Sequence, residues 1–141
     1  MARKDTKLDQ LGRIWLFSAC SKKDLTTIGR AADEVTVPAG RVLTEEGKPG
    51  HEFYLILLGQ ASVKRGRRKI ATLGPGRYFG ELSLLDKGPR TATATAETEC
   101  TVLVLGPREF SGVLDEVPQL AHKLLAALAA RIRELDTKVF G

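Results

Sequence analysis

At 141 residues the chain has room for one domain with a real core, and 43% hydrophobic with 28% charged residues and few aromatics is ordinary for a soluble globular protein. No apolar stretch approaches the roughly 18–20 residues that span a bilayer, and the opening MARKDTKLDQLGR lacks the apolar region of a signal peptide; a cytoplasmic protein without a membrane segment is expected. The net charge of +5, from 22 Lys and Arg against 17 Asp and Glu, suits an anionic ligand or partner but does not by itself argue for nucleic acid.

Residues 1–6 read as a frayed tail. Leu8, Leu11, Ile14, Trp15, Leu16 and Phe17 then predict a short apolar helical segment packed on the domain. Ser21 with Asp24 three residues on resembles a capping box, with Asp in place of the usual Glu or Gln. It opens a helix to about Ala32, with Leu25 and Ile28 facing inward. Cys20 and Cys100 have neither metal-ligand spacing nor the density of a disulfide scaffold, so both read as free thiols.

From Asp33 the pattern changes to short β-type runs separated by glycine and proline. Candidate strands cover 34–37, 41–45, 53–58, 60–65, 68–73, 77–80, 91–97 and 100–105, a spacing that points to an antiparallel sandwich or jelly roll. Lys64-Arg65-Gly66-Arg67-Arg68-Lys69 is a basic hairpin tip. It reads as a solvated turn; a patch for nucleic acid or an acidic partner is the alternative, against which the lack of interleaved aromatic residues for base stacking argues. After Leu105 the pattern is helical, with one helix from Pro107 that stops before Pro118 and a longer one from Pro118 to about Val139. In the second, Leu125, Leu128, Ile132, Leu135 and Val139 follow a coiled-coil spacing over little more than two heptads. Folding onto its own β-roll or forming a dimer explains that face about equally well. The expected fold is α+β, mainly β: an antiparallel, jelly-roll-like β-roll (33–106) flanked by an N-terminal helical segment (1–32) and two C-terminal helices (107–141), together one domain.

The chemistry concentrates in Gly76 to Ala96, GRYFGELSLLDKGPRTATATA. Gly80-Glu81-Leu82-Ser83 reads as the start of one helical turn, where the first amides have no internal partner and favour an anion. Gly80, without a Cβ, lets a ligand approach the backbone. Arg90 adds a permanent charge and a planar fork of donors suited to phosphate oxygens. Glu81 cannot bind that anion, and accepting from sugar hydroxyls is its natural task. Anion donors beside a hydroxyl acceptor describe a ribose phosphate. For the spacing alone, a helix turn with an Arg–Glu salt bridge that serves only the fold is the plain alternative.

The same run resembles the phosphate-binding cassette of cyclic-nucleotide-binding domains, the modules of catabolite-activator-like regulators, cyclic-nucleotide-dependent protein kinases and nucleotide-gated channels. That family's pattern runs roughly F-G-E-[LI]-[AS]-L-L, a short spacer, then P-R-x-A-[TS]; Phe79 to Leu85 and Pro89 to Thr93 fit it throughout. Glu45 to Val63 is similar to the family's strand–turn–strand signature at Gly47, Gly50, Tyr54, Ile56, Gly59 and Val63, with His51 where an acidic or amide residue is common. The resemblance implies a stand-alone, bacterial-type module that binds cAMP, with cGMP as the alternative ligand. It implies that Arg90 pairs the cyclic phosphate with help from the amides of Leu82, Ser83 and Thr91. Glu81 accepts from the 2′-hydroxyl and Gly80 leaves room for the ribose. Thr91 also offers a hydroxyl to a syn guanine. Asp136 is a candidate base contact, although a solvated helix carboxylate is the plainer reading. The family's last helix lids the nucleotide and often forms a homodimer interface, and binding would reposition it toward an unnamed protein effector.

Other classes find less support. There is no G-x-S-x-G elbow, no P-loop and no G-x-G-x-x-G opening a helix, and His51 and His122 lie in unrelated segments, so no catalytic residue, metal or cofactor is expected. A transcription factor of the catabolite-activator type needs a helix-turn-helix after the long helix. A complete chain ending at Gly141 would carry no DNA-reading element, whereas a piece of a longer one would be its sensor domain. A degenerate module that binds no nucleotide and serves as an interaction or dimerisation scaffold is the remaining alternative, against which Glu81 and Arg90 both argue.

Overall fold

The computed structural model describes residues 8–140, with side chains to residue 136; the tail expected over residues 1–6 and the side chain of Val139 lie outside the described residues. Contacts divide the chain into two compact units, one from Arg30–Ser111 and one from the described residues of Met1–Gly29 and Gly112–Gly141.

The first unit is the expected antiparallel β-roll. Its strands are β1 (Asp33–Val37), β2 (Val42–Thr44), β3 (Phe53–Leu58), β4 (Ala61–Arg65), β5 (Arg68–Leu73), β6 (Tyr78–Phe79), β7 (Thr93–Ala96) and β8 (Cys100–Leu105). They form two four-stranded sheets in the orders β1-β8-β3-β6 and β2-β7-β4-β5, every pair antiparallel. The eight predicted strands are all present, the shortest being β6 and β2, which pair over two positions each.

Local pattern explains the faces. In β7 the Thr-Ala alternation puts Ala94 and Ala96 inside at 1% exposure and leaves the threonines half-buried on the other face. Ala96 joins Ala61 and Leu73 of its sheet against Val37, Tyr54, Ile56 and Val102 of the other. The run FYLILL of β3 is buried from Phe53 to Leu57 on both faces, which is why it reads as a continuous apolar stretch and not as an alternation. On one face Tyr54 stacks on Phe79, ring centroids 5.0 Å apart. On the other Phe53 stacks on Tyr78 at 5.6 Å and on Phe110 at 5.1 Å.

The helices are α1 (Lys22–Ala31), α2 (Glu81–Asp86), α3 (Pro107–Glu116) and α4 (Pro118–Phe140). The capping box that opens α1 is reciprocal: the Asp24 amide donates to Ser21 Oγ at 3.1 Å and the Ser21 amide to Asp24 Oδ2 at 3.0 Å. Leu25 and Ile28 are buried. Ahead of it, residues 8–12 are helical and Trp15–Phe17 form a single 3-10 turn against α4. Leu11, Leu16 and Phe17 are buried, while Trp15 stays exposed beneath the Lys123 ammonium, 4.6 Å from the ring centroid. Pro118 separates α3 from α4 as its missing N–H requires. The packed stripe of α4 runs through Leu120 and Leu124, which leaves Leu125, Ile132 and Leu135 of the predicted seam about 60% exposed and Leu128 half-buried.

Candidate functional site

β6 leads directly into the site. Gly80 caps the six-residue α2 at φ 94°, a backbone conformation that favours glycine. A Cβ there would stand 2.6 Å from the Glu52 carbonyl oxygen and 3.0 Å from Arg90 Nη1. Its lack of a side chain thus makes room for Arg90 and the neighbouring loop. From α2, Glu81 and Ser83 are buried at 4% and 3% exposure, and Leu82 is half-buried between them.

Arg90 is 5% exposed, a permanent charge held inside the roll. Its Nη1 donates to the Gly80 carbonyl at 3.3 Å and its Nη2 to the Glu52 carbonyl at 3.0 Å. The Glu52 carboxylate lies 3.9 Å from Nη2. A buried cation needs such partners, because desolvation otherwise disfavours the charged form. A guanidinium carries five N–H donors, so two carbonyls leave capacity for an anion. Gly50 is also required here, since a Cβ would meet Arg90 Nε at 2.3 Å.

The loop between β2 and β3 fixes the arginine's main chain as well. The Arg90 amide donates to the Lys48 carbonyl at 3.0 Å, and the Gly47 amide donates to the Arg90 carbonyl at 2.9 Å. The structure therefore brings together Gly80 and Arg90 of the predicted set and places Glu81, Leu82 and Ser83 on the turn that follows Gly80. Thr91 follows the arginine with its side chain exposed. Asp136 belongs to the other unit, exposed on α4. Sequence reasoning missed Glu52. The available signal was its place next to His51, where the resembled family commonly has an acidic or amide residue; the carboxylate near Arg90 comes one residue later, from Glu52. Tyr54 lies close by, its hydroxyl pushed up by burial and by the Glu52 carboxylate against the opposing pull of Arg90. Burial and Asp24 likewise raise the Cys20 thiol. His51 and His122 are exposed. Among the described residues no three His, Cys, Asp or Glu side chains cluster as a metal site, and no helix is long and apolar enough to cross a membrane.

Residues 34–117, more than half of the chain, match the family described as the cyclic nucleotide-binding domain. The chain belongs to that family. It is 30% identical over 134 residues to a CRP-like cAMP-activated global transcriptional regulator of Mycobacterium tuberculosis, covering 92% of this chain and 60% of that protein's length. Its fold is similar to the crystal structure of the Thermus thermophilus catabolite activator protein, with a TM-score of 0.83 and 32% identity over 88% of this chain and 61% of that one. The regulatory domain of Toxoplasma gondii protein kinase A, crystallised with cAMP, matches at a TM-score of 0.69 and 32% identity over 79% of this chain and 44% of that one.

Proposed function

We propose that this chain is a cytoplasmic, non-catalytic regulatory module that binds one cyclic nucleotide, with cAMP preferred over cGMP. The observation that carries this reading is Arg90, a buried guanidinium anchored beside Gly80 and Glu81 in a chain of the cyclic nucleotide-binding family. In this reading Arg90 pairs the cyclic phosphate, with the amides of Leu82, Ser83 and Thr91 as further donors. Glu81 accepts from the ribose 2′-hydroxyl. Relatives named for cAMP favour that base, and Thr91 offers a hydroxyl to a syn guanine if cGMP is taken instead. Calorimetric titration with each nucleotide decides it. Saturable uptake of one ligand per chain, tighter for cAMP, is expected; silence with both would turn the reading to a degenerate interaction scaffold.

The output is proposed to run through α4. Ligand binding repositions this helix and exposes or hides the face that includes Leu125, Ile132 and Leu135, to a second copy of the chain or to a protein effector. The exposure of those three side chains supports this reading, because an apolar stripe left in solvent suits a partner. Hydrogen exchange along α4 is expected to differ with and without saturating cAMP. Identical protection in both states would exclude the mechanism.

A further inference from the structure

The segment that carries Arg90 is also held through its main chain by the β4–β5 hairpin. Arg65 ends β4 and, by strand alternation, shares a face with Ala61 and Val63, which pack between the sheets. Its Nε donates to the Thr91 carbonyl at 3.2 Å. At the next residue Gly66, with φ 62°, turns its amide onto Glu46 and donates to Oε1 at 2.7 Å. The Glu46 amide in turn donates to Thr93 Oγ1 at 2.9 Å. Two surface turns from opposite sides, 45–50 and 65–67, are thereby tied to each other and to residues 91–93.

We propose that Arg65 and Glu46 are positioning residues for the nucleotide: together they latch the β4–β5 hairpin onto the arginine-bearing segment and hold Arg90 and Thr91 in binding geometry. This rests on the nucleotide reading above. Both side chains are exposed, and exposed polar pairs add little to global stability. Their effect is local. Ordering a short loop costs conformational entropy for every residue fixed, and a segment already ordered spares the ligand that cost. The latch thus lowers local opening of 88–93 and leaves the global unfolding equilibrium nearly unchanged. It also gives the basic hairpin, which reads from sequence as a solvated turn, a role at the site.

The test compares Arg65→Ala, Glu46→Ala, their double variant and Glu46→Gln, which keeps a side-chain acceptor. In the unliganded proteins, exchange of peptides covering 88–93 is expected to quicken by roughly 3- to 30-fold in the three alanine variants, the scale of one hydrogen bond, with the melting temperature unchanged. Affinity for cAMP is expected to fall by a similar factor, and the double variant to be no worse than the weaker single one, because both act on one latch. Glu46→Gln is expected to recover most of both. Unchanged exchange in the single variants would overturn the proposal, as would a loss of affinity without faster exchange, which marks direct ligand contact, or a parallel fall in melting temperature, which marks global destabilisation. If the wild-type chain takes up neither nucleotide, the nucleotide reading fails on the titration alone. The exchange measurement still decides whether the latch exists.

Discussion

Arg90→Ala is expected to abolish saturable cyclic-nucleotide binding at micromolar ligand while the chain still folds cooperatively. A bound cyclic nucleotide would bring one negative charge to Arg90, a buried cation that is 5% exposed and already oriented by the Gly80 and Glu52 carbonyls. Micromolar affinity corresponds to about −8 kcal/mol. Removing one partner of a desolvated, hydrogen-bonded charge pair typically costs about 2–5 kcal/mol, which weakens binding by roughly 30- to 5000-fold. The fold should tolerate the loss. Two carbonyls lose a donor, at about 1–3 kcal/mol for a group left unsatisfied, while the sheets keep their ladders. Calorimetry with cAMP and cGMP reads the binding, and circular dichroism with a thermal melt reads the fold. Wild-type affinity in a folded Arg90→Ala protein would refute the assignment of Arg90 to the phosphate.

Gly80→Ala is expected to damage stability and binding together. The new methyl would sit 2.6 Å from the Glu52 carbonyl oxygen at a φ of 94°. A left-handed conformation costs a residue with a side chain about 1–2 kcal/mol, and the clash adds to it because its nearest neighbour is backbone. About 2–4 kcal/mol in all is a large part of the stability of a small domain. The same methyl crowds Arg90 Nη1 at 3.0 Å, so nucleotide affinity should fall by at least about 10-fold. Urea denaturation of the unliganded variant measures the first effect and titration the second. A variant with normal stability and normal affinity would mean that Gly80 holds neither the loop nor the arginine.

Much of this was legible in the chain because the signals are local. Thr91 to Ala96 alternates with period two, and the strand at Thr93–Ala96 buries its alanines accordingly. Ser21 and Asp24 are three residues apart, within reach of each other's amides once a helix starts. Pro118 cannot continue a preceding helix, and α3 stops at Glu116. Gly80, Glu81 and Arg90 lie within eleven residues, close enough for motif spacing to register them. The coiled-coil spacing in α4 was also legible, but periodicity marks which residues share a face and not what covers it. Leu120 and Leu124 turned out to be buried and Leu125, Ile132 and Leu135 exposed.

The sequence by itself determined the kinds of element, the mainly-β class, the cassette and the type of residue each position needed. The elements and the class depend on sterics and hydrogen bonds between near neighbours in the chain, and the cassette on a contiguous run that resembles a family motif. Only the tertiary structure decided that β1 pairs with β8 and β2 with β7, that Glu52 supplies the carboxylate beside Arg90, that Gly50 makes room for it, and that Arg65 and Glu46 reach the segment after it. Those partners come from separate loops and strands, with intervals in the chain of roughly 25 to 70 residues. No local periodicity encodes such intervals; they follow from which strands become neighbours once the sheets close on their shared core.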